Sequence, residues 1–187
     1  MAQGFRTTPL VIILKPPWQS MSCITRTLNE MDLNKLSYER NQRYYRERHC
    51  SGQWRDFLCV LLDELQDNMG RSDTADFFNA IGQKLATRFS LAEQDTVEEL
   101  EERLNSLWLK LDWGWCQLIA QPNSITIIHG AWPNPDEGKE TLWPIVFSSV
   151  LQGFYSKSLS IQGGDASVKI EIKSSTLGMP IELIYGA

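Results

Sequence analysis

His129 is the side chain of this sequence best suited to acid–base chemistry, and its surroundings indicate a structural role instead. It ends an apolar run, residues 125–129, and Gly130 follows it. An imidazole can act as a general base near neutral pH, but a hydrolase of that type also needs an activated serine or cysteine nucleophile. The sequence around His129 carries no such motif. We therefore expect His129 to be structural, or to lie at the edge of a sheet.

Other residue types that support catalysis or cofactor binding do not have the spacing in the sequence that these functions require. A glycosidase needs two carboxylates facing one sugar ring, but the acidic residues cluster at 98–102 and 136–137, as expected of solvated faces. The four cysteines form no C-x-x-C pair, and two histidines cannot complete a zinc site. Neither glycine-rich nucleotide motif is present. We predict no enzymatic activity, no cofactor and no metal.

Basic and aromatic residues alternate between residues 36 and 50, as a contact with a polysaccharide or a protein partner would require. The formal charge of -5 for the whole chain argues against a nucleic-acid partner, because phosphate binding needs a clustered positive field. The alternative is a solvent-exposed helix with Glu–Arg pairs. The candidate glucan or partner contact consists of Tyr38, Arg40, Arg43, Tyr44 and Tyr45.

The seven tryptophans divide into expected core residues and expected surface residues. Trp54, Trp108 and Trp143 lie on helical stripes and are predicted to be buried. Trp18, Trp132 and one of the pair Trp113 and Trp115 are expected at the surface. Exposed aromatic rings can stack on the flat faces of sugars, and subunit interfaces use them as well.

A helix followed by a hairpin, residues 96–130, is the element around which the chain is organised. Thr96 and Glu99 have the spacing of a capping box, so a helix should begin there. Gly114 then suits a left-handed turn. Two β-prone runs follow, 116–120 and 125–128, separated by a turn at 121–124 with a fixed φ at Pro122. The period of the apolar residues changes from helical to alternating at this point.

Two earlier helices and one later helix have apolar faces of their own. The first should begin at Ser51 and end at Gly70, and the second should begin at Ser72, with Gly82 beside its apolar face where a neighbouring backbone can approach. The first is predicted to bury one stripe: Trp54, Phe57, Leu58, Leu61, Leu65 and Met69. The second has Phe77, Phe78, Ile81, Leu85 and Phe89 on its apolar face.

The later helix, residues 143–154, is almost entirely apolar, so it is buried on two sides or it contacts another copy of the chain. The candidate oligomer contact consists of Trp143, Phe147, Val150 and Phe154. The remaining C-terminal residues read as strands, with 159–161 leading to 168–173 and a last strand at 181–185. The sequence predicts an α+β fold, with N-terminal helices packed on a C-terminal antiparallel sheet and one inserted helix.

The N-terminal region differs in character from the rest of the chain. Residues 1–35 lack periodicity and carry three prolines, so we expect an arm that is ordered only if held, or a disordered segment, before one domain at 36–187. Met31 is an alternative start. The apolar run 10–14 is too short for a signal peptide, and no segment reaches the length of a membrane span. We expect a cytoplasmic protein, with a periplasmic location the less favoured alternative.

Several patches follow one another between about residues 53 and 155: FNAIGQKLA at 78–86, the helix 97–111 leading into DWG at 112–114, ITIIH at 125–129, WPIV at 143–146 and VLQGFY at 150–155. Together they resemble the cellulose synthase operon protein D family. Each patch is unspecific alone. Their shared order and distances over roughly 100 residues carry the resemblance.

The resemblance implies a non-enzymatic accessory subunit of bacterial cellulose synthesis. It implies helices on an antiparallel sheet, and dimers that assemble into a barrel-like octamer. Such assemblies organise the export complexes so that glucan chains align into crystalline fibrils, which makes other synthase subunits and nascent glucan chains the expected partners. Family members have internal passages near N-terminal segments, and the arm of this chain is longer than theirs.

Two other classes of function remain alternatives. A small-ligand-binding α+β domain would use the space between helices and sheet as an apolar pocket. A glycan-modifying enzyme is the weakest interpretation, because the sequence provides no acid–base pair.

Overall fold

The elements follow the order expected from the sequence, helices first and then mostly strands. The computed structural model describes residues 51–134, 142–165 and 167–186. Its helices are α1 (Gly52–Asn68), α2 (Arg71–Arg88), α3 (Val97–Leu111) and α4 (Trp143–Ile161). Its strands are β1 (Trp115–Gln121), β2 (Ser124–Gly130), β3 (Ile170–Ser174) and β4 (Ile181–Tyr185).

The four described strands form one antiparallel sheet in the order β1-β2-β4-β3. The β1–β2 hairpin pairs Trp115 with Gly130 at one end and Gln121 with Ser124 at the turn. β4 joins this hairpin to β3, and the pairing of β3 with β4 shifts between Ile172 and Ser174. The predicted α+β class, with an inserted helix before the last two strands, is confirmed.

The start of α3 is set by the side chains that the capping box predicts. The hydroxyl of Thr96 accepts a hydrogen bond from the Glu99 backbone N–H, 3.2 Å away. The Glu99 carboxylate accepts in return from the N–H of Asp95, one residue earlier than in the standard box. The helix ends with Asp112 in the left-handed region, at φ 59°, and Gly114 follows at φ 93°. The turn into β1 therefore needs two left-handed residues, where the sequence predicted one.

Side chains of α3 satisfy the free edge of β1. The Asn105 side chain accepts from the Cys116 N–H at 2.7 Å and donates to the Cys116 carbonyl at 2.8 Å. The Glu101 carboxylate accepts from the Leu118 N–H at 2.6 Å. An edge strand with unpaired backbone groups is a template for unwanted pairing. These contacts therefore hold α3 along β1 and close part of that edge.

The core lies between one face of the sheet and the helices α3 and α4. Trp108 of α3 is fully buried and contacts the rings of Phe154 and Tyr155 on α4, with centroids 4.6 and 5.8 Å apart. Beneath these rings lie alternate residues of the four strands: Cys116, Leu118, Ile127, His129, Ile170, Ile181 and Leu183. This alternation is that of a sheet with one face covered.

α2 packs closely against α4, as the position of Gly82 predicted. A Cβ on Gly82 would overlap the carbonyl oxygen of Val150, and one on Gly153 would overlap the carbonyl oxygen of Asn79. The Gln152 side chain accepts from Asn79 at 3.0 Å and donates to the Ile170 carbonyl at 2.6 Å. Gln152 thus connects α2, α4 and β3.

Three local predictions need correction. Residues 159–161 belong to α4, because Leu159 continues its buried face. Ser51 is the N-cap residue of α1, as predicted, but its side chain makes no capping hydrogen bond. α1 ends at Asn68 with Met69 as its C-cap, and Gly70, with extended backbone, is the N-cap of α2. A glycine between two adjacent helices can end the first helix or cap the N-terminus of the second.

Several sequence predictions, among them those for Trp18 and Met31, fall wholly or partly outside the described part of the chain. The arm at 1–35 and the proposed start of the domain at residue 36 both lie there, and the boundary stays a prediction. Among the described residues, none of the helices has both the length and the apolar character that crossing a membrane requires.

Candidate interaction surfaces

The first candidate contact predicted from the sequence lies outside the described residues. Tyr38, Arg40, Arg43, Tyr44 and Tyr45 all precede residue 51. Their role in binding glucan or a partner stays a prediction.

The second candidate contact, on α4, is largely covered by the chain itself. Phe147, Val150 and Phe154 are only 1 to 6% exposed. Trp143 is half-buried, and its Nε1 donates to the Pro133 carbonyl at 2.8 Å. α4 therefore lies between the sheet and α2, which is one of the two arrangements that its apolar sequence allowed. Contact of these residues with another copy stays a prediction, and the buried ones offer little surface for it.

His129 belongs to a buried hydrogen-bond network. Its Nε2 lies 2.8 Å from the Trp113 carbonyl, and its Nδ1 lies 2.7 Å from the Tyr155 hydroxyl. Because a carbonyl only accepts, Nε2 carries the hydrogen, and Nδ1 accepts from Tyr155. The ring is fully buried and edge-on to Trp108, at 5.2 Å between centroids. The network joins the turn after α3 to β2 and α4, as expected of a structural histidine.

Burial sets the protonation states of His129, Tyr155 and Cys116. It lowers the pKa of His129 to about 4, with the hydrogen bond to the Trp113 carbonyl acting in the opposite direction. It raises the pKa of the Cys116 thiol to about 11, and it raises the pKa of Tyr155 well above its usual value. All three groups are therefore neutral near pH 7. A protonated, enclosed thiol and a neutral, enclosed imidazole are not an activated nucleophile and base.

The predicted stripe of α1 is not buried as expected. Trp54, Phe57 and Val60 are 56 to 61% exposed, and Leu61 is also exposed. Leu62, which the stripe omitted, is buried against Leu142 and Val146. Leu58, Leu65 and Met69 are half-buried. The prediction that Trp54 is a core residue is wrong.

A signal for this outcome was present in the sequence. With Val60 and Leu62 included, apolar residues of α1 extend round more than half of the helix. A helix that is apolar on two sides needs two partners, and the described fold supplies one of them.

The face of the sheet opposite the core carries a second group of exposed apolar side chains. Trp115 is 44% exposed and Ile119 is 39% exposed, both on β1. The Trp115 indole lies over Gly130 on β2, where a Cβ would overlap the ring. By register, Gln117, Thr126 and Glu182 share this face with Trp115. The prediction that one of Trp113 and Trp115 is exposed is confirmed.

Trp132 is buried, contrary to the prediction. Its ring stacks on Phe147, with centroids 5.7 Å apart, and its Nε1 donates to the Met179 carbonyl at 2.9 Å. Ala131 has a positive φ of 54°, which turns the chain back over the core after β2. The sequence marks this segment as a loop because of its prolines, but it does not show that the loop folds inward.

Metal binding has no support in the parts of the chain that the structure describes. There, no group of three or more His, Cys, Asp or Glu side chains is placed to hold an ion. The two described cysteines, Cys59 and Cys116, form no disulfide.

Comparison with known proteins gives one consistent result. The model of the family of the cellulose synthase D subunit matches residues 40–186. The cellulose synthase operon protein D of Komagataeibacter xylinus is 28% identical over 112 residues, which cover 58% of this chain and 70% of the relative. The protein of that name from Komagataeibacter sucrofermentans has the same identity and coverage. A further protein of that name from K. xylinus is 27% identical over 112 residues.

Proposed function

Because the chain belongs to the family of the cellulose synthase D subunit, we propose that it is a non-enzymatic, self-assembling component of bacterial cellulose synthesis. Its role is to organise the synthase complexes so that exported glucan chains align and crystallise. The observation that carries self-assembly is the exposed apolar face of α1. Side chains such as Trp54 and Phe57 are costly to leave in water, and contiguous exposed patches of this kind mark interaction sites.

The absence of catalysis is supported by what the chemically capable side chains do. His129 and Cys116 lie in the core, neutral and enclosed, and His129 orders three elements through its hydrogen bonds. The relatives also carry the name of an operon protein D, not of a synthase. The partners proposed are other copies of this chain, as dimers assembling to an octamer, and other components of the cellulose synthase complex.

A cytoplasmic location fits the described cysteines. Cys59 is half-buried and Cys116 is buried, and neither takes part in a disulfide. Proteins of oxidising compartments commonly pair their cysteines, whereas the cytoplasm keeps thiols reduced.

The mass of the particle in solution tests self-assembly. We expect light scattering to give a mass several times the 21.4 kDa of one chain, because α1 needs cover that the described part of the chain does not provide. A monomer at micromolar concentration in native buffer would contradict the proposal. Loss of the gene should also lower the yield and crystallinity of secreted cellulose, and expression of the intact chain should restore both.

Direct contact with glucan is proposed at Trp115. One face of its indole is backed by Gly130, the ring remains 44% exposed, and by register the polar residues Gln117 and Glu182 lie on the same face of the sheet. An aromatic face with nearby hydrogen-bonding groups suits a flat, hydroxyl-edged sugar ring.

Sedimentation of the protein with insoluble cellulose tests this contact. Trp115→Ala should lower the bound fraction several-fold, whereas Phe77→Ala, which removes an exposed ring on α2, should leave it unchanged. Circular dichroism of both variants checks the fold. Equal binding by the wild type and Trp115→Ala would remove Trp115 from the proposal without affecting self-assembly.

The alternative of a small-ligand-binding domain finds little support. The space between the helices and the sheet is filled by side chains that are at most 2% exposed, among them Trp108, Leu151 and Phe154. A ligand pocket would need room that these residues occupy.

A further inference from the structure

α1 is attached to the rest of the described chain along a narrow line. Among its described side chains Leu62 is the one that is buried, in a small cluster with Leu142 and Val146. A 17-residue helix gains little from its own hydrogen bonds in water and depends on packing for stability. The contacts at Leu62 leave the opposite side of α1 without cover from the described residues.

That opposite side carries a compact apolar row. Successive residues of a helix are about 100° apart, so Trp54, Phe57 and Leu61 fall within about 60° of one another. Leu62 lies about 140° round the helix from Phe57. The Trp54 and Phe57 rings meet edge-on, with centroids 6.0 Å apart and planes at 80°. The row ends at Glu64, and Asp67 follows on the same exposed half of the helix.

We propose that this row pairs with the same row of a second copy, in an antiparallel arrangement about a two-fold axis beside Phe57. The inference rests on the proposed self-assembly and names the helix that provides one of its contacts. An isologous contact requires a surface that is complementary to itself. With the axis beside Phe57, Trp54 of each copy lies opposite Leu61 of the other, so apolar side chains meet along the whole row.

The charges at the ends of the row favour the antiparallel direction. In this arrangement Glu64 and Asp67 of one copy lie beside the N-terminus of the other copy's α1. That end of a helix carries partial positive charge, and α1 has no acidic residue in its first turn to neutralise it. A parallel pair would place the acidic ends together.

The apolar area of the row indicates whether such a pair could be stable without other contacts. Fully burying an aromatic side chain removes about 150–250 Å² from water, so the exposed fractions of the row and Val60 amount to about 400 Å² per copy. Stable complexes bury about 800 Å² per partner. The α1 pair is therefore one contact of a larger assembly, not a dimer interface that suffices alone.

Cysteine cross-linking tests the position of the axis. Helices packed 8–10 Å apart, with Cα atoms about 2.3 Å from each axis, bring facing Cα atoms to about 3.5–5.5 Å, which overlaps the range of disulfides. In a full-length background with Cys23, Cys50 and Cys59 replaced by serine, Phe57→Cys should form a disulfide-linked dimer under mild oxidation. The matched control is Gln66→Cys, which is exposed but lies about 180° round α1. Gln66→Cys should form less than a tenth as much disulfide-linked dimer as Phe57→Cys.

Light scattering on the same proteins separates this inference from the proposed function. If the protein with the three cysteines replaced is a monomer, both the α1 pair and the proposed self-assembly are wrong. If it is a multimer but Phe57→Cys cross-links no better than Gln66→Cys, the α1 pair is wrong and self-assembly stands. Phe57→Glu should lower the mass of the particle at least two-fold, whereas Phe77→Glu on α2 should not. An unchanged mass for folded Phe57→Glu would also overturn the pair.

Discussion

His129 shows how a potentially reactive side chain is used to fix the arrangement of three elements. Its two ring nitrogens bind the carbonyl after α3 and a hydroxyl on α4, while its backbone lies in β2. The neutral ring satisfies both partners, because one nitrogen donates and the other accepts. A protonated ring would have two donors, so the Tyr155 hydroxyl would have to accept instead of donate, and a positive charge would be buried in the core. The fold therefore depends on His129 remaining neutral.

Stability should fall on acidification because of His129. Its pKa is about 4 in the folded chain and ordinarily 6.5, since burial disfavours the charged ring. The unfolded chain therefore takes up a proton that the folded chain does not. The stability from the neutral ring is complete above pH 6.5 and is lost as the pH falls to about 4, in total about 3 kcal/mol.

Urea unfolding at a fixed protein concentration measures this effect. His129→Gln should be less stable at about pH 7.5, but its free energy of unfolding should fall less steeply between about pH 6.5 and 4 than that of the wild type. His49→Gln, which alters the other histidine of the chain, should keep the wild-type pH dependence. Parallel curves for wild type and His129→Gln would contradict the assignment.

Between elements, the crossing of α2 and α4 depends on two glycines that face each other's backbones. Gly82 lies against Val150, and Gly153 lies against Asn79. Alanine is favoured over glycine inside a helix by roughly 0.5–1 kcal/mol, but the overlap here is with backbone carbonyls, which cannot rotate away. Separating the helices would also disturb the hydrogen bonds of Gln152.

Gly82→Ala and Gly153→Ala should each lower the free energy of unfolding by about 1–3 kcal/mol, as expected of an overpacked core. Lys84→Ala, at an exposed position of α2, should change it by less than about 0.5 kcal/mol. Thermal and urea unfolding of the three variants provide the measurement. A stabilised Gly82→Ala protein would mean that the helices have room for a methyl group.

Local signals in the sequence predicted the helices and strands better than they predicted which residues pack against each element. Thr96 and Glu99 marked the start of α3, because a capping box depends on residues near in sequence. Gly82 marked a close approach of backbones, but the sequence did not show that Val150 is the partner. The exposed side of α1 and the inward loop at Trp132 depend on distant residues, such as Leu142 and Phe147. Periodicity shows that a face is apolar, but it does not show which partner covers it.

For the whole molecule, the covered and uncovered apolar surfaces fall on different elements. α4, with the most apolar sequence, is enclosed by the sheet and α2. Among the described residues, the exposed apolar side chains include the row on α1 and the Trp115 side of the sheet, both of which have more polar sequences. Assembly and sugar contact are therefore proposed at separate places, so that variants of one can be tested without loss of the other.

The position of β4 also has a consequence for synthesis of the chain. It is the last strand in sequence, but it lies between β2 and β3 and hydrogen-bonds to both. Until the ribosome has added Tyr185, the hairpin and β3 have no strand to join them, and α4 has only part of the sheet to cover its apolar side. The nascent chain therefore carries an incompletely covered apolar helix until β4 has been added, and chaperones that hold such surfaces should influence its yield.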